Sequence, residues 1–177
     1  MTINSNIMIY VTGILQNSRS KDLYPQDYRK NIVDAIKETW ESAIVQCPII
    51  VGSADNKESL KETVKEFEQQ LALLKKANIV VAYIPEPSMG SAIEIYNASL
   101  RGKYVVTISP IKTNRVVRMF SHDIYDSIES FLDACKIGKF KKDFSRFIIE
   151  KSKRTTSIAP RFHSPLKKNF PTIKTAE

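Results

Sequence analysis

The chain alternates short apolar runs with longer amphipathic stretches, a pattern that predicts a parallel α/β layer fold. Residues 7–11 read as a buried strand that ends at Thr12 and Gly13, and 13–25 as a polar loop. From residue 27 to about 45 the spacing is helical, with Ile32, Ala35, Ile36 and Trp40 on one face. The apolar run at 48–51 predicts the second strand, and 52–57 a turn-rich loop. Residues 58–76 predict a strong helix, because Leu60, Val64, Phe67, Leu71 and Leu74 fall at steps of three and four. Residues 79–84 are continuously apolar, as expected of a strand covered by helices on both faces. Pro85 and Pro87 break it, 91–101 predicts a helix, and Gly102 is its stop. Residues 104–108 form the next strand, ended by Pro110. A short helix at 113–120, an edge strand at 122–125 and helices at 127–135 and 139–149 complete the pattern.

Charge and composition refine this picture. The 177 residues are 42% hydrophobic and 26% charged, enough for one domain with a substantial core. The net charge of +8 is unevenly spread. Residues 1–150 hold 20 Lys and Arg against 18 Asp and Glu, a balance of +2. Residues 151–177 hold seven against one, a balance of +6, with three prolines and no apolar periodicity. The division is therefore an α/β domain over 1–150 and a basic, disordered or surface-tracing tail over 151–177. Nucleic-acid binding is not expected of the domain; a basic arm or a nuclear localisation signal is the functional alternative for the tail. Cys47 and Cys135 make no disulfide framework, and His122 and His163 lack metal-ligand spacing, so no metal is expected. No run reaches the roughly 18 apolar residues of a membrane span, and residues 1–10 lack a secretory leader pattern. A cytoplasmic location is the expectation, with a nuclear one left open by the tail.

The chemistry concentrates between residues 78 and 104. The strand at 79–84 ends in the loop Pro85 to Gly90, and the helix after it presents Glu94. In open α/β sheets ligands bind outside the carboxyl ends of the strands, and free N–H groups at a helix start favour oxygen-rich groups. Ser88 and Ser91 add hydroxyls there, and Gly90 admits a close ligand. From spacing alone, Ser91 and Glu94 also fit a capping box, which is the simpler reading of that pair.

The segment resembles the signature of the nucleoside 2-deoxyribosyltransferase-like superfamily, which includes deoxyribosyltransferases and deoxynucleoside 5′-monophosphate N-glycosidases. The matching elements are the strand at 79–84, the loop Pro87-Ser88-Met89-Gly90, Glu94 four residues after the glycine, and Ala98 followed by Arg101-Gly102-Lys103-Tyr104. Tyr10 running into Gly13, and Asn114 after Ser109-Pro110, extend the likeness over roughly residues 7 to 136. The resemblance implies a flavodoxin/Rossmann-like parallel sheet of about five strands with helices on both faces. It implies Glu94 as nucleophile, Tyr10 as its orienting partner, and Gly13, Gly90, Ser91 and Asn114 at the substrate. Ser88 resembles the residue that holds a 5′-phosphate, and Arg19 is the cation that could assist it. No cofactor is implied. The partners implied are a nucleoside or nucleotide and further copies of the chain in a homo-oligomer.

Two departures stand out. Gln70 occupies a position where the family usually carries Asp, and Asn78 another. Gln70 keeps hydrogen-bonding capacity but cannot act as an acid or base, while Asn78 is expected only to cap its strand. Two readings follow. One is cleavage or transfer of an N-glycosidic bond; the other is a catalytically silent nucleotide-binding module of the same fold.

Overall fold

A computed structural model describes residues 7–16, 23–48 and 59–155. The elements run β1 (Met8–Gly13), α1 (Asp27–Thr39), β2 (Ile44–Gln46), α2 (Leu60–Lys76), β3 (Ile79–Tyr83), α3 (Met89–Leu100), β4 (Tyr104–Ile108), α4 (Arg115–Phe120), β5 (Asp123–Tyr125), α5 (Ile128–Lys136) and α6 (Lys139–Thr155). All five strands are parallel, in the order β2-β1-β3-β4-β5. The expected five-stranded parallel α/β fold is what forms. The strand order reverses between β1 and β3, and this places the switch-point crevice outside their carboxyl ends.

Alternation along the strands divides the core in two. Ile9 and Val11 of β1 pack with Ile32 and Ile36 of α1, with Phe131 of α5 and with Phe140 and Phe144 of α6. Tyr10 points to the other face, with Leu74 of α2, Val80 and Ala82 of β3, Ile95 and Ala98 of α3 and Val105 of β4. Each fully buried aliphatic side chain contributes about 1.5–3 kcal/mol, so two continuous apolar layers hold the sheet rigid beneath its loops.

Local signals place most ends. Ser59 and Glu62 form a reciprocal capping box at the start of α2. Gly102, at φ 61°, ends the α3 turn in the left-handed region that glycine tolerates. Asn78 accepts from the Met8 N–H at 2.9 Å and joins β1 to the β3 entry.

Three expectations are corrected. The first helix stops at Thr39, not near residue 45, because the chain turns at Trp40 and Ala43 N–H bonds back to the Trp40 carbonyl at 2.9 Å. Ile44 and Val45, both β-branched, then pair with Met8 and Ile9 as β2. The second strand is thus 44–46 rather than 48–51; Pro48 follows it, and 49–51 lie outside the described residues. The last helix runs on to Thr155, six residues beyond expectation, and Lys151 Nζ donates to the Gly102 carbonyl at 2.8 Å. Residues 156–177 lie outside the described residues. Among the described residues no helix is long and apolar enough to cross a membrane.

Candidate active site

The site begins with strand alternation. Tyr10 and Thr12 are two apart on β1 and so face the same side of the sheet, toward α3. Glu94 sits in the second turn of α3 and is turned inward with Ile95 and Ala98. Its two carboxylate oxygens are held separately. Tyr10 Oη donates to Oε1 at 3.0 Å and Thr12 Oγ1 donates to Oε2 at 2.6 Å. Glu94 is 4% exposed.

Burial raises the Glu94 carboxyl above the usual carboxylate range. The Thr12 and Tyr10 hydroxyls and the Arg29 guanidinium pull it back. Burial also pushes the Tyr10 phenol well above its ordinary range, as does the carboxylate it serves. Tyr10 therefore remains a donor throughout the neutral range. The outcome is a poorly hydrated carboxylate, fixed at both oxygens, at the carboxyl edge of the sheet beside the switch point. Such a group stabilises positive charge far more strongly than one in water, or attacks it directly.

The helix start corrects the capping-box reading. Ser88, not Ser91, is the N-cap of α3: its Oγ accepts from the Ser91 N–H at 3.4 Å and from Ser91 Oγ at 3.1 Å. The helix begins at Met89 rather than 91, so Glu94 lies beyond the first turn and caps nothing. Gly90 is exposed in the first turn, and a Cβ there would meet no protein atom. Ser91 is buried.

Gly13 is under the opposite constraint. A Cβ there would lie 2.7 Å from both Tyr28 Oη and the Tyr83 carbonyl oxygen. Close packing at this turn lets Ile14 N–H reach the Tyr83 carbonyl at 3.0 Å and tie the ends of β1 and β3 together.

Tyr10, Gly13 and Glu94 thus come together, with Ser88, Gly90 and Ser91 at the start of the same helix as Glu94. Gln70 is half-buried on α2, one turn before Leu74, and its side chain makes no hydrogen bond among the described residues. Asn114 caps α4, its Oδ1 accepting from Val116 N–H at 2.9 Å and Val117 N–H at 3.4 Å. No described contact joins either to Glu94. Arg19 lies outside the described residues.

Sequence reasoning missed Thr12 and Arg29. Thr12 carried a signal, since strand alternation puts it beside Tyr10. Arg29 precedes Ile32 on the α1 apolar stripe by about one turn and is 5% exposed, so its place on a buried face was its signal. Among the described residues no group of three or more His, Cys, Asp or Glu could hold a metal ion.

No family model matches the chain, and no curated protein matches it. The fold recurs among solved structures. A conserved protein from Enterococcus faecalis V583 superposes at TM-score 0.51 and 14% identity, over 75% of this chain and 98% of that one. A 2-deoxyribosyltransferase from the psychrotolerant bacterium Bacillus psychrosaccharolyticus superposes at TM-score 0.52 and 17% identity, over 71% of this chain and 90% of that one. The chain therefore has the α/β fold that the sequence resemblance implied, shared with a 2-deoxyribosyltransferase.

Proposed function

We propose that the protein cleaves or transfers the N-glycosidic bond of a deoxynucleoside or its 5′-monophosphate, with Glu94 as nucleophile. One observation carries this: a buried carboxylate, fixed at both oxygens by Tyr10 and Thr12, lies beside the carboxyl end of β1, where the strand order reverses. Breaking the bond from the anomeric carbon to the base nitrogen builds positive charge on the sugar. A deoxyribose has no 2′-hydroxyl to grip, so the fixed carboxylate is the main source of stabilisation. Glu94 forms an ester to that carbon as the base departs with the bonding electron pair. Water, or the nitrogen of a second base, then displaces Glu94, which regains its electron pair.

Ser88 donates to a 5′-phosphate in this reading, since its bonds from Ser91 leave its own O–H proton uncommitted. The chain assembles with its own copies through the outer face of α3. There Met89, Ile93, Tyr96 and Leu100 are exposed at helical spacing, and the exposed positions of this helix carry no charge. A second reading, a silent nucleotide-binding module, is favoured by Gln70, which brings no titratable proton to a leaving base.

The test incubates the protein with a panel of nucleosides and 5′-monophosphates, with and without a free acceptor base, and measures released base. Release that disappears in Glu94→Gln is expected. Calorimetric binding of a monophosphate without release from any member establishes the silent module instead.

A further inference from the structure

Among the described residues two charged side chains are buried, Arg29 and Glu94, and they carry opposite charge. Both lie at the carboxyl edge of the sheet, one on each face. Arg29 belongs to the first turn of α1. Its Nη2 donates to the Gly13 carbonyl at 3.2 Å and its Nε to Gln26 Oε1 at 2.6 Å. Gln26 Nε2 in turn donates to the carbonyls of Ile14, at 3.2 Å, and Tyr24. Arg29 Nη1 lies 3.8 Å from Cys47 Sγ, and the guanidinium carbon 5.2 Å from the Tyr28 ring centre. Every one of these partners is neutral. No described carboxylate pairs with Arg29, although a buried cation without a counter-charge is costly.

Glu94 has the complementary deficit. Its hydrogen bonds come from two neutral hydroxyls. The elements packed around α3 bring it no other charge: β3, β4 and α2 contribute Val80, Ala82, Val105 and Leu74. Arg101, Arg115 and Arg118, at the end of α3 and on α4, are exposed. The link between the two ions is short in covalent terms. Arg29 binds the Gly13 carbonyl, and Gly13 follows Thr12, whose hydroxyl holds Glu94.

We propose that Arg29 is a positioning residue for Glu94, supplying its buried counter-charge and, through the Gly13 carbonyl, fixing the strand end that carries Thr12. The inference rests on reading Glu94 as the reacting carboxylate. It gives the buried arginine a role that solvent or a surface pair would otherwise fill. Attraction between unit charges in a poorly polarisable interior extends beyond contact distance. The guanidinium acts on the Glu94 carboxyl in the direction this requires, against the effect of burial.

The test compares wild type with Arg29→Gln, which keeps a donor for Gly13 but loses the charge, and Arg29→Lys, which keeps the charge but not the planar fork. The carboxyl carbon of Glu94 is followed by NMR against pH, assigned by its loss in Glu94→Gln. Removing the cation disfavours the anion, so Glu94 is expected to titrate about one pH unit higher in Arg29→Gln or more. In Arg29→Lys it is expected to stay close to wild type. The acid limb of base release should move upward with it, so that Arg29→Gln loses more activity on the acid side of that limb than on its alkaline plateau. Unchanged titration in folded Arg29→Gln, or an activity loss equal at every pH, overturns the proposal. If Arg29→Gln does not fold, Arg29→Lys decides: a titration displaced upward by a full unit overturns it. A wild type that releases no base from any substrate overturns the proposed reaction, while the NMR titration still judges Arg29.

Discussion

At the scale of single residues, burial of Glu94 makes stability depend on pH. Its carboxyl is raised by burial, so the folded state holds that proton to higher pH than the unfolded chain, whose carboxyl titrates near 4.5. Stability therefore falls as pH rises from that value through the folded one, and stays lower above it. Glu94→Gln removes the loss. Its melting temperature should exceed that of wild type at pH 8 and show no advantage at pH 4, while base release drops at least about a hundredfold. Differential scanning calorimetry at the two pH values and the release assay check both halves. Gly13→Ala tests the turn opposite. The new Cβ would press on the Tyr83 backbone carbonyl, which cannot swing aside, and should cost about 1–3 kcal/mol in urea denaturation. The meeting of Glu94 and Tyr10 was legible in the sequence because the family resemblance implied it. Arg29 was overlooked because a lone basic residue in a helix ordinarily faces water, although its spacing from Ile32 and Ile36 set it on the buried face of α1.

At the scale of elements, legibility followed the strength of the periodic signal. β3 and β4 are continuous apolar runs covered on both faces, and their ends fell within a residue of expectation. β2 has three residues, all half-buried or exposed, at the sheet edge. Its pattern was too short to separate from the helix before it, and pairing with β1 decided the matter. α3 shows a cap doing what a motif obscured: Ser88 and Ser91 both have capping chemistry, and the backbone selected the earlier one. Asn114 is a second cap, accepting two N–H groups at the start of the six-residue α4. Asn114→Ala should cost about 1 kcal/mol by chemical denaturation. A loss of monophosphate affinity in the folded variant, measured by calorimetry, would give Asn114 a ligand role as well.

At the scale of the whole molecule, the outer face of α3 predicts association. Met89 is 77% exposed and Leu100 52%, at opposite ends of one uncharged stripe, so an antiparallel copy can meet it without like-charge repulsion. Wild type should sediment as a dimer or larger species at micromolar concentration, and Ile93→Glu should shift it toward monomer. Sedimentation velocity across a concentration series checks this. The bond from Lys151 to the Gly102 carbonyl has a different consequence. Gly102 lies where α3 hands over to β4, at the amino edge of the sheet, and so at the pole opposite Glu94. The described part of α6 is pinned to that pole. A partner domain joined directly at Thr155 would start from that pole, with the sheet between it and Glu94. A reporter domain fused at that point, or a surface tether, should leave monophosphate affinity equal to that of the free chain. Immobilised this way, the protein would turn the carboxyl edge of its sheet outward to solution.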